Sequence, residues 1–96
     1  MPLFVVLRTR GPSWDDALPL TSQADWRGHA TFMDALVEEG FVHLGGPLEG
    51  TRDALLVVEA QDAAEIVARL TEDPWTKSGL LTISQISPWT LRLGKI

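Results

Sequence analysis

The sequence predicts a small α+β domain built in the order strand, helix, strand, strand, helix, strand. Short apolar runs typical of strands alternate with segments that are amphipathic at helical spacing. The chain has 96 residues, enough for one hydrophobic core but not for two. The first and third strands are also apolar at consecutive positions, which is typical of strands covered on both faces. We therefore expect a single domain over residues 1–96 whose sheet gains further burial from a partner.

The first strand is predicted over Leu3–Leu7, an uninterrupted apolar run of the kind found in the middle of a sheet. A loop over residues 10–21 follows, because Gly11, Pro12 and Pro19 interrupt any regular pattern. At roughly a dozen residues the loop is longer than most connections in compact domains. We expect it to act as a lid.

The first helix is predicted to begin at a capping box formed by Ser22 and Asp25 and to end at Gly40. Helical spacing places six side chains on one face of it: Trp26, His29, Phe32, Met33, Leu36 and Val37. The helix is expected to pack this stripe on the sheet, with His29 in its middle and Asp34 facing solvent.

The second and third strands are predicted as a hairpin. Phe41–Leu44 forms the first of the two and is stopped by Gly45-Gly46-Pro47. Ala54–Glu59 forms the second, after a turn that contains Gly50.

The second helix is predicted to begin at Asp62. A short helical turn follows at Asp73, an N-cap with Pro74 at the first helical position. Leu80–Ile86 is the last strand, and Pro88 limits its extension. This order of elements predicts the ferredoxin-like βαββαβ fold, an antiparallel sheet with both helices on one face.

The second face of such a sheet stays uncovered in a single chain, although its strands are apolar there. Pairing that face with the same face of a second copy buries it, so we expect a homodimer through the sheet face. If about 600 Å² of apolar surface per subunit is involved, its burial is worth roughly 15 kcal/mol before the cost of association.

Composition excludes several classes of function. The formal net charge is −5, with 13 acidic and 8 basic residues and no basic cluster, so we expect no binding to nucleic acid. No apolar run reaches the roughly 18 residues of a membrane span, and we expect a cytoplasmic protein that does not bind membranes. The absence of cysteine removes disulfides and thiolate chemistry, and two histidines in unlike settings do not predict a metal site. No nucleotide-binding motif is present, so no cofactor is expected.

His29 is the most informative polar residue, because an imidazole in an apolar stripe needs a hydrogen-bond partner. It is either a buried structural histidine or a group that moves protons near neutral pH. Asp25, one helical turn earlier, and Asp73, far away in sequence, are alternative partners that would orient the ring. Each of these aspartates also has a purely structural interpretation as a helix cap.

Four further residues are candidates for substrate binding. Arg8 follows the first strand and can pair with an anionic substrate, or with Asp15 or Asp16. The remaining candidates are Trp14 and Trp75, which can line an aromatic pocket or simply pack, and Gly46, which lets a ligand approach the backbone or only ends a strand.

Several short motifs occur in a characteristic order: Phe4-Val5-Val6-Leu7, Arg10-Gly11-Pro12, His29 with Gly40, Gly46-Pro47, Glu72-Asp73-Pro74-Trp75 and Ser78-Gly79-Leu80. Together they resemble the YCII-related family. The resemblance implies a ferredoxin-like protein of the dimeric α+β barrel group with His29 and Asp73 in its active site. It also implies chemistry like that of one relative, a dehydrochlorinase of a chlorinated hydroxyhydroquinone. Trp75 departs from the Phe or Tyr that usually follows the Asp-Pro pair.

Two functions follow as hypotheses. In the first, His29 oriented by Asp73 performs acid-base chemistry, an isomerisation or elimination, on a small aromatic or lactone-like metabolite without a cofactor. In the second, the protein is a non-catalytic dimeric module that binds a small molecule or another protein through the same cleft.

Overall fold

The computed structural model describes residues 1–96 and confirms the ferredoxin-like order of elements. The strands are β1 (Leu3–Arg10), β2 (Val42–Pro47), β3 (Asp53–Glu59) and β4 (Leu81–Trp89), and the helices are α1 (Trp26–Glu38), α2 (Ala63–Thr71) and the single turn α3 (Pro74–Lys77). The strands form one antiparallel sheet in the order β2-β3-β1-β4, so the apolar β1 and β3 are central as predicted. None of the helices has the length and apolarity that a membrane crossing requires.

Helices α1 and α2 pack on one face of the sheet and enclose an aliphatic core. We use that name for ten buried residues: Phe4, Val6, Leu36, Phe41, Val42, Leu56, Val58, Ala60, Ile66 and Leu70. Strand β1 buries Phe4 and Val6 toward the helices, whereas Val5 and Leu7 on its other face are only partly buried. Within one chain, therefore, β1 is fully covered on one face alone, although Val57 of β3 is buried on the other face.

A second buried group lies at one end of the sheet. This tryptophan cluster consists of Trp14, Trp75, Leu80 and Leu81, with Leu20 and Trp26 packed against it. The loop before α1 reaches the cluster because the Gly11 N–H donates to the Leu80 carbonyl at 2.8 Å and the Ser13 N–H donates to Gly79 at 3.1 Å. A Cβ atom at Gly11 would collide with the Gly79 carbonyl oxygen, so the two backbone segments touch directly.

The start of α1 differs from the sequence prediction. Asp25, not Ser22, is the N-cap, and its Oδ1 accepts from the Gly28 N–H at 3.1 Å. Ser22 instead ends a short 3-10 turn, and Gln23 is extended, which interrupts the helix between the two. The predicted caps Asp62 and Asp73 are both confirmed, as is the end of α1, where Gly40 has a φ of +80°.

Both edge strands run further than predicted. Strand β2 continues through Gly45 and Gly46 to Pro47, which faces Ala54 of β3, and β4 continues through Pro88, which faces Phe4. Both are edge strands, so each proline can lack an N–H without leaving a carbonyl of a neighbouring strand unpaired. The residues expected to stop these strands are therefore tolerated inside them.

Candidate functional site

A cavity of about 290 Å³ opens beside the tryptophan cluster, under α1 and at the end of the sheet. Its wall includes His29 and Met33 from α1, Trp14 from the long loop, and Trp75 from α3. Val37 was predicted to be in the buried stripe of α1 but is 52% exposed, and it lines this cavity instead. The stripe therefore covers the aliphatic core at some positions and an open pocket at others.

The side chains of Arg8, Asp73 and His29 form a connected group that we call the ionic triad. Arg8 Nη2 donates to Asp73 Oδ2 at 2.9 Å, and His29 Nδ1 lies 2.9 and 3.0 Å from the two oxygens of the same carboxylate. Asp73 and Arg8 are 0% and 2% exposed, and the His29 side chain is 12% exposed. The structure thus brings His29 to Asp73, while Asp25 only caps the helix.

Arg8 was expected to pair with an anionic substrate or with Asp15 or Asp16; it lines the cavity, but its aspartate partner is Asp73 and neither of those two. Besides Asp73, its guanidinium donates to Thr76 Oγ1 at 2.8 Å, and Asp16 pairs with Arg52 instead. Strand β1 extends to Arg10, so Arg8 lies within the sheet and not beside the loop. The Arg8 guanidinium therefore fixes the Asp73 carboxylate from the side of the sheet.

The local sequence around Asp73 explains why its carboxylate faces inward. As the N-cap of α3 it accepts from the Trp75 N–H at 3.0 Å, which fixes one oxygen. Thr76, in the same turn, accepts from Arg8 and donates its hydroxyl to the Leu70 carbonyl at 2.8 Å. A four-residue helix thus positions both the anion and a supporting hydroxyl.

Burial and hydrogen bonding act in opposite directions on the triad. Burial opposes ionisation of Asp73, but the hydrogen bonds from His29 and the Trp75 N–H, with the charge of Arg8, outweigh it and lower the pKa of Asp73. Burial also lowers the pKa of Arg8, and the neighbouring Asp73 carboxylate counteracts that effect. Asp73 is therefore an anion at neutral pH.

His29 is held in one orientation by contacts on two sides. Its ring stacks on the Trp75 indole with centroids 3.9 Å apart and planes 5° apart. Because an ionised carboxylate only accepts hydrogen bonds, the contact with Asp73 requires a proton on His29 Nδ1. The other nitrogen, Nε2, has no hydrogen-bond partner within the chain, and the ring lines the cavity.

Trp75 and Trp14 form the aromatic part of the wall. The buried Trp75 donates its indole N–H to the Ala24 carbonyl at 2.7 Å and meets Trp14 edge to face, with centroids 5.4 Å apart. Trp26 packs against both His29 and Trp75, with ring centroids 5.9 and 5.7 Å apart. Both predicted tryptophans therefore lie at the cavity, although Trp75 is fully buried and supports His29 more than it meets solvent.

Gln23 is a residue of this region that sequence reasoning missed. Its buried amide accepts from the Asp15 N–H at 3.1 Å and donates to the carbonyls of Asp15 and Leu18 at 2.7 and 2.9 Å. With Trp14 only 9% exposed, these bonds hold the loop that was expected to act as a lid against the cavity wall. The one signal in the sequence that could have identified Gln23 was its position as a polar residue just before the start of a helix.

Two glycines, Gly45 and Gly46, line the cavity. Gly46 lines the cavity, but a Cβ atom there would meet nothing within 4 Å. A Cβ at Gly45 would instead lie 2.6 Å from Leu56 Cδ2, so a side chain there would have to displace the Leu56 side chain. No group of three His, Cys, Asp or Glu side chains is close enough to hold a metal ion.

Comparisons with known proteins agree with this architecture. The family model for the YCII-related domain matches residues 4–90. Among solved structures, 5-chloro-2-hydroxyhydroquinone dehydrochlorinase (TftG) from Burkholderia phenoliruptrix AC1100, in complex with 2,5-dihydroxybenzoquinone, is similar with a TM-score of 0.70. The two chains are 23% identical, and the match covers 92% of this chain and 93% of that one, which supports the shared fold. A comparison with curated proteins found no match.

Proposed function

This chain belongs to the YCII-related family, and we propose that it is a small enzyme that performs acid-base chemistry, an isomerisation or elimination, on a one-ring metabolite. The observation that supports the proposal most is the His29–Asp73 contact of 2.9 Å at the wall of an open cavity. A base usually needs a third group that fixes its tautomer, and here a buried carboxylate is in place to do so.

In the proposed mechanism, His29 Nε2 is the atom that exchanges protons. With the Nδ1 proton committed to Asp73, Nε2 carries the lone pair and faces the cavity. In an elimination, Nε2 takes a proton from the substrate, the electron pair of the broken bond forms a new π bond, and the leaving group departs with its own pair. In an isomerisation, Nε2 returns the proton to a different atom. Asp73 stabilises the imidazolium formed in between, and Arg8 keeps Asp73 ionised.

The size and lining of the cavity favour a small, flat substrate. About 290 Å³ is at the lower end of ligand pockets, which span roughly 300 to 1,000 Å³, and the wall is largely aromatic. The similar dehydrochlorinase acts on a chlorinated hydroquinone and was solved with a dihydroxyquinone. Those compounds are the first substrates to test, with a lactone-like metabolite of the same size as the next.

The proposal includes a homodimer formed through the uncovered face of the sheet. On that face Val5, Leu7 and Leu55 are only partly buried, and Leu44 and Trp89 are 60% and 40% exposed. Apolar side chains at the centre of a sheet gain from coverage by a second copy. Sedimentation should give twice the mass of the chain at micromolar concentration, and a folded single subunit would contradict this part of the proposal.

The principal experiment measures chloride release from 5-chloro-2-hydroxyhydroquinone by the unmodified protein and by His29→Gln. Loss of general acid-base help should lower kcat by roughly 10² to 10⁴ while the fold and the dimer persist. His43→Gln is the matched control, because His43 pairs with Glu59 and does not line the cavity.

Equal turnover by His29→Gln and the unmodified protein would reject the assignment of the base. Ligand binding in the cavity without chloride release, and without exchange of ring protons for deuterium, would instead favour the non-catalytic binding module.

A further inference from the structure

Arg10 differs from the other arginines of the cavity wall in having no carboxylate partner. Three arginines line the cavity: Arg8, Arg10 and Arg52. Arg8 is paired with Asp73 and Arg52 with Asp16, each at 2.8 to 2.9 Å. Arg10 makes neither an ion pair nor a side-chain hydrogen bond, although it is partly buried.

The position of the Arg10 guanidinium is fixed by an aromatic ring. Its Cζ lies over the Trp14 indole, 4.6 Å from the ring centroid. The Arg10 N–H also donates to the Arg52 carbonyl at 2.9 Å, which ties its backbone to the start of β3. The N–H groups of this guanidinium have no partner within the chain, and a guanidinium can bind a planar anion through two hydrogen bonds.

Two of the three arginines of the cavity wall are neutralised by aspartates. The chain has a net charge of −5, yet the wall has three arginines and two aspartates, Asp34 and Asp53. Because Asp73 and Asp16 neutralise Arg8 and Arg52, Arg10 is the one arginine of the wall whose charge is left for an anion.

A continuous row of rings connects Arg10 to the proposed base. The guanidinium contacts Trp14, Trp14 meets Trp75 edge to face at 5.4 Å, and Trp75 stacks on His29 at 3.9 Å. A ligand lying along this wall has a fixed cation at one end and an imidazole at the other.

From these contacts we propose that Arg10 binds a negatively charged oxygen of the substrate, and that the substrate class is a small aromatic or quinonoid ring carrying such an oxygen. Arg10 is then a specificity-determining residue, because it orients the ring so that its opposite side faces His29 Nε2. This inference rests on the proposed function in sharing its cavity, but binding alone tests it.

The test measures the binding of 2,5-dihydroxybenzoquinone, whose hydroxyl groups are acidic, by calorimetry at pH 7. Its uncharged counterpart is 2,5-dimethoxybenzoquinone. Arg10→Gln should raise the Kd of the dihydroxy compound about tenfold, the usual value of a hydrogen bond to a charged group at a partly exposed site. The same substitution should change the Kd of the dimethoxy compound less than about twofold.

Arg27→Gln is the matched control, because it removes the same charge from an exposed position on α1 that does not line the cavity. Equal losses in Arg10→Gln and Arg27→Gln would overturn the proposal, as would unchanged binding in Arg10→Gln or no binding to the unmodified protein at millimolar concentration. His29→Gln should retain binding. Loss of turnover in His29→Gln with unchanged binding in Arg10→Gln would therefore reject the anion site while the proposed function stands.

Discussion

The aliphatic core and the ionic triad are both buried, but the core consists of apolar side chains and the triad of charged and polar ones. The core joins α1 and α2 to the sheet through ten apolar residues, and none of them needs a specific partner. The triad places two full charges and an imidazole in a space with almost no exposure, where every partner is a particular atom. Burial stabilises the core directly, whereas it penalises the triad unless all its hydrogen bonds are made.

The comparison indicates which region the chain uses for stability and which for chemistry. The cavity wall includes Arg8 and His29 of the triad and residues of the tryptophan cluster, whereas only Val42 and Leu56 of the ten core residues reach it. One buried polar atom, Arg8 Nε, lacks a partner, and it belongs to the triad. Because a buried polar atom without a partner destabilises the fold, the triad that contains it is a strong candidate for function.

The largest expected effect comes from Asp73→Asn, which leaves the Arg8 charge buried without an anion. The free energy of unfolding should fall by about 3 to 5 kcal/mol, as is usual when one partner of a buried pair is removed. Urea denaturation measures it. The double variant Arg8→Met with Asp73→Asn should recover part of the loss, because no unpaired charge remains. A double variant no more stable than the single one would contradict the assumption that the pair dominates this region.

Leu70→Ala tests the aliphatic core. Leu70 is 0% exposed in the aliphatic core, and truncation should cost about 2 to 5 kcal/mol of unfolding free energy. The Kd of a cavity ligand should change less than about twofold, because Leu70 does not line the cavity. Val67→Ala, on the same helix but 47% exposed, is the control and should cost much less. A large change in Kd with Leu70→Ala would remove the distinction between the two regions.

Gln23→Ala should have a smaller effect, about 1 to 3 kcal/mol, because it leaves partly buried backbone groups of the loop without partners and the space of a buried amide empty. The damage should be local to the loop carrying Trp14. Hydrogen exchange should therefore speed up at the Asp15 N–H while the amides of β1 and β3 remain protected. Uniform acceleration across the sheet would indicate that Gln23 supports the whole fold instead.

The smallest effect expected is in the pH dependence of stability. The pKa of Asp73 is lower in the folded protein than its ordinary value of 3.8, so its ionised form stabilises the fold above that pH. The contribution is lost as the pH falls through the lower folded value, and only part of the loss is reached in usable buffers. The stability gap between the unmodified protein and Asp73→Asn should narrow below pH 3.8. A gap that widens there would contradict the sign of the shift.

Local sequence signals predicted most of the elements correctly. The caps Asp62 and Asp73 and the end of α1 at Gly40 each depend on residues next to one another in the chain. The start of α1 was missed because Gln23 is held by contacts with the preceding loop, which outweigh the capping box at Ser22. The prolines in β2 and β4 were misjudged because edge position is a property of the sheet, not of the strand.

The candidate site was predicted in part. The helical stripe singled out His29, and the family resemblance selected Asp73 over Asp25, which spacing alone left open. The pairing of Arg8 with Asp73 joins residues 65 positions apart and depends on how α3 packs against β1. Nothing in the neighbouring sequence of either residue carries that information, and the same holds for Arg10 and Trp14, which meet only once the loop has folded back.

The direct contact between Gly11 and Gly79 limits how this scaffold can be recombined. Because the two backbones touch, a transplant of the long loop from a relative would succeed only if the segment after α3 came with it. Chimeras that separate the two glycines should therefore express poorly.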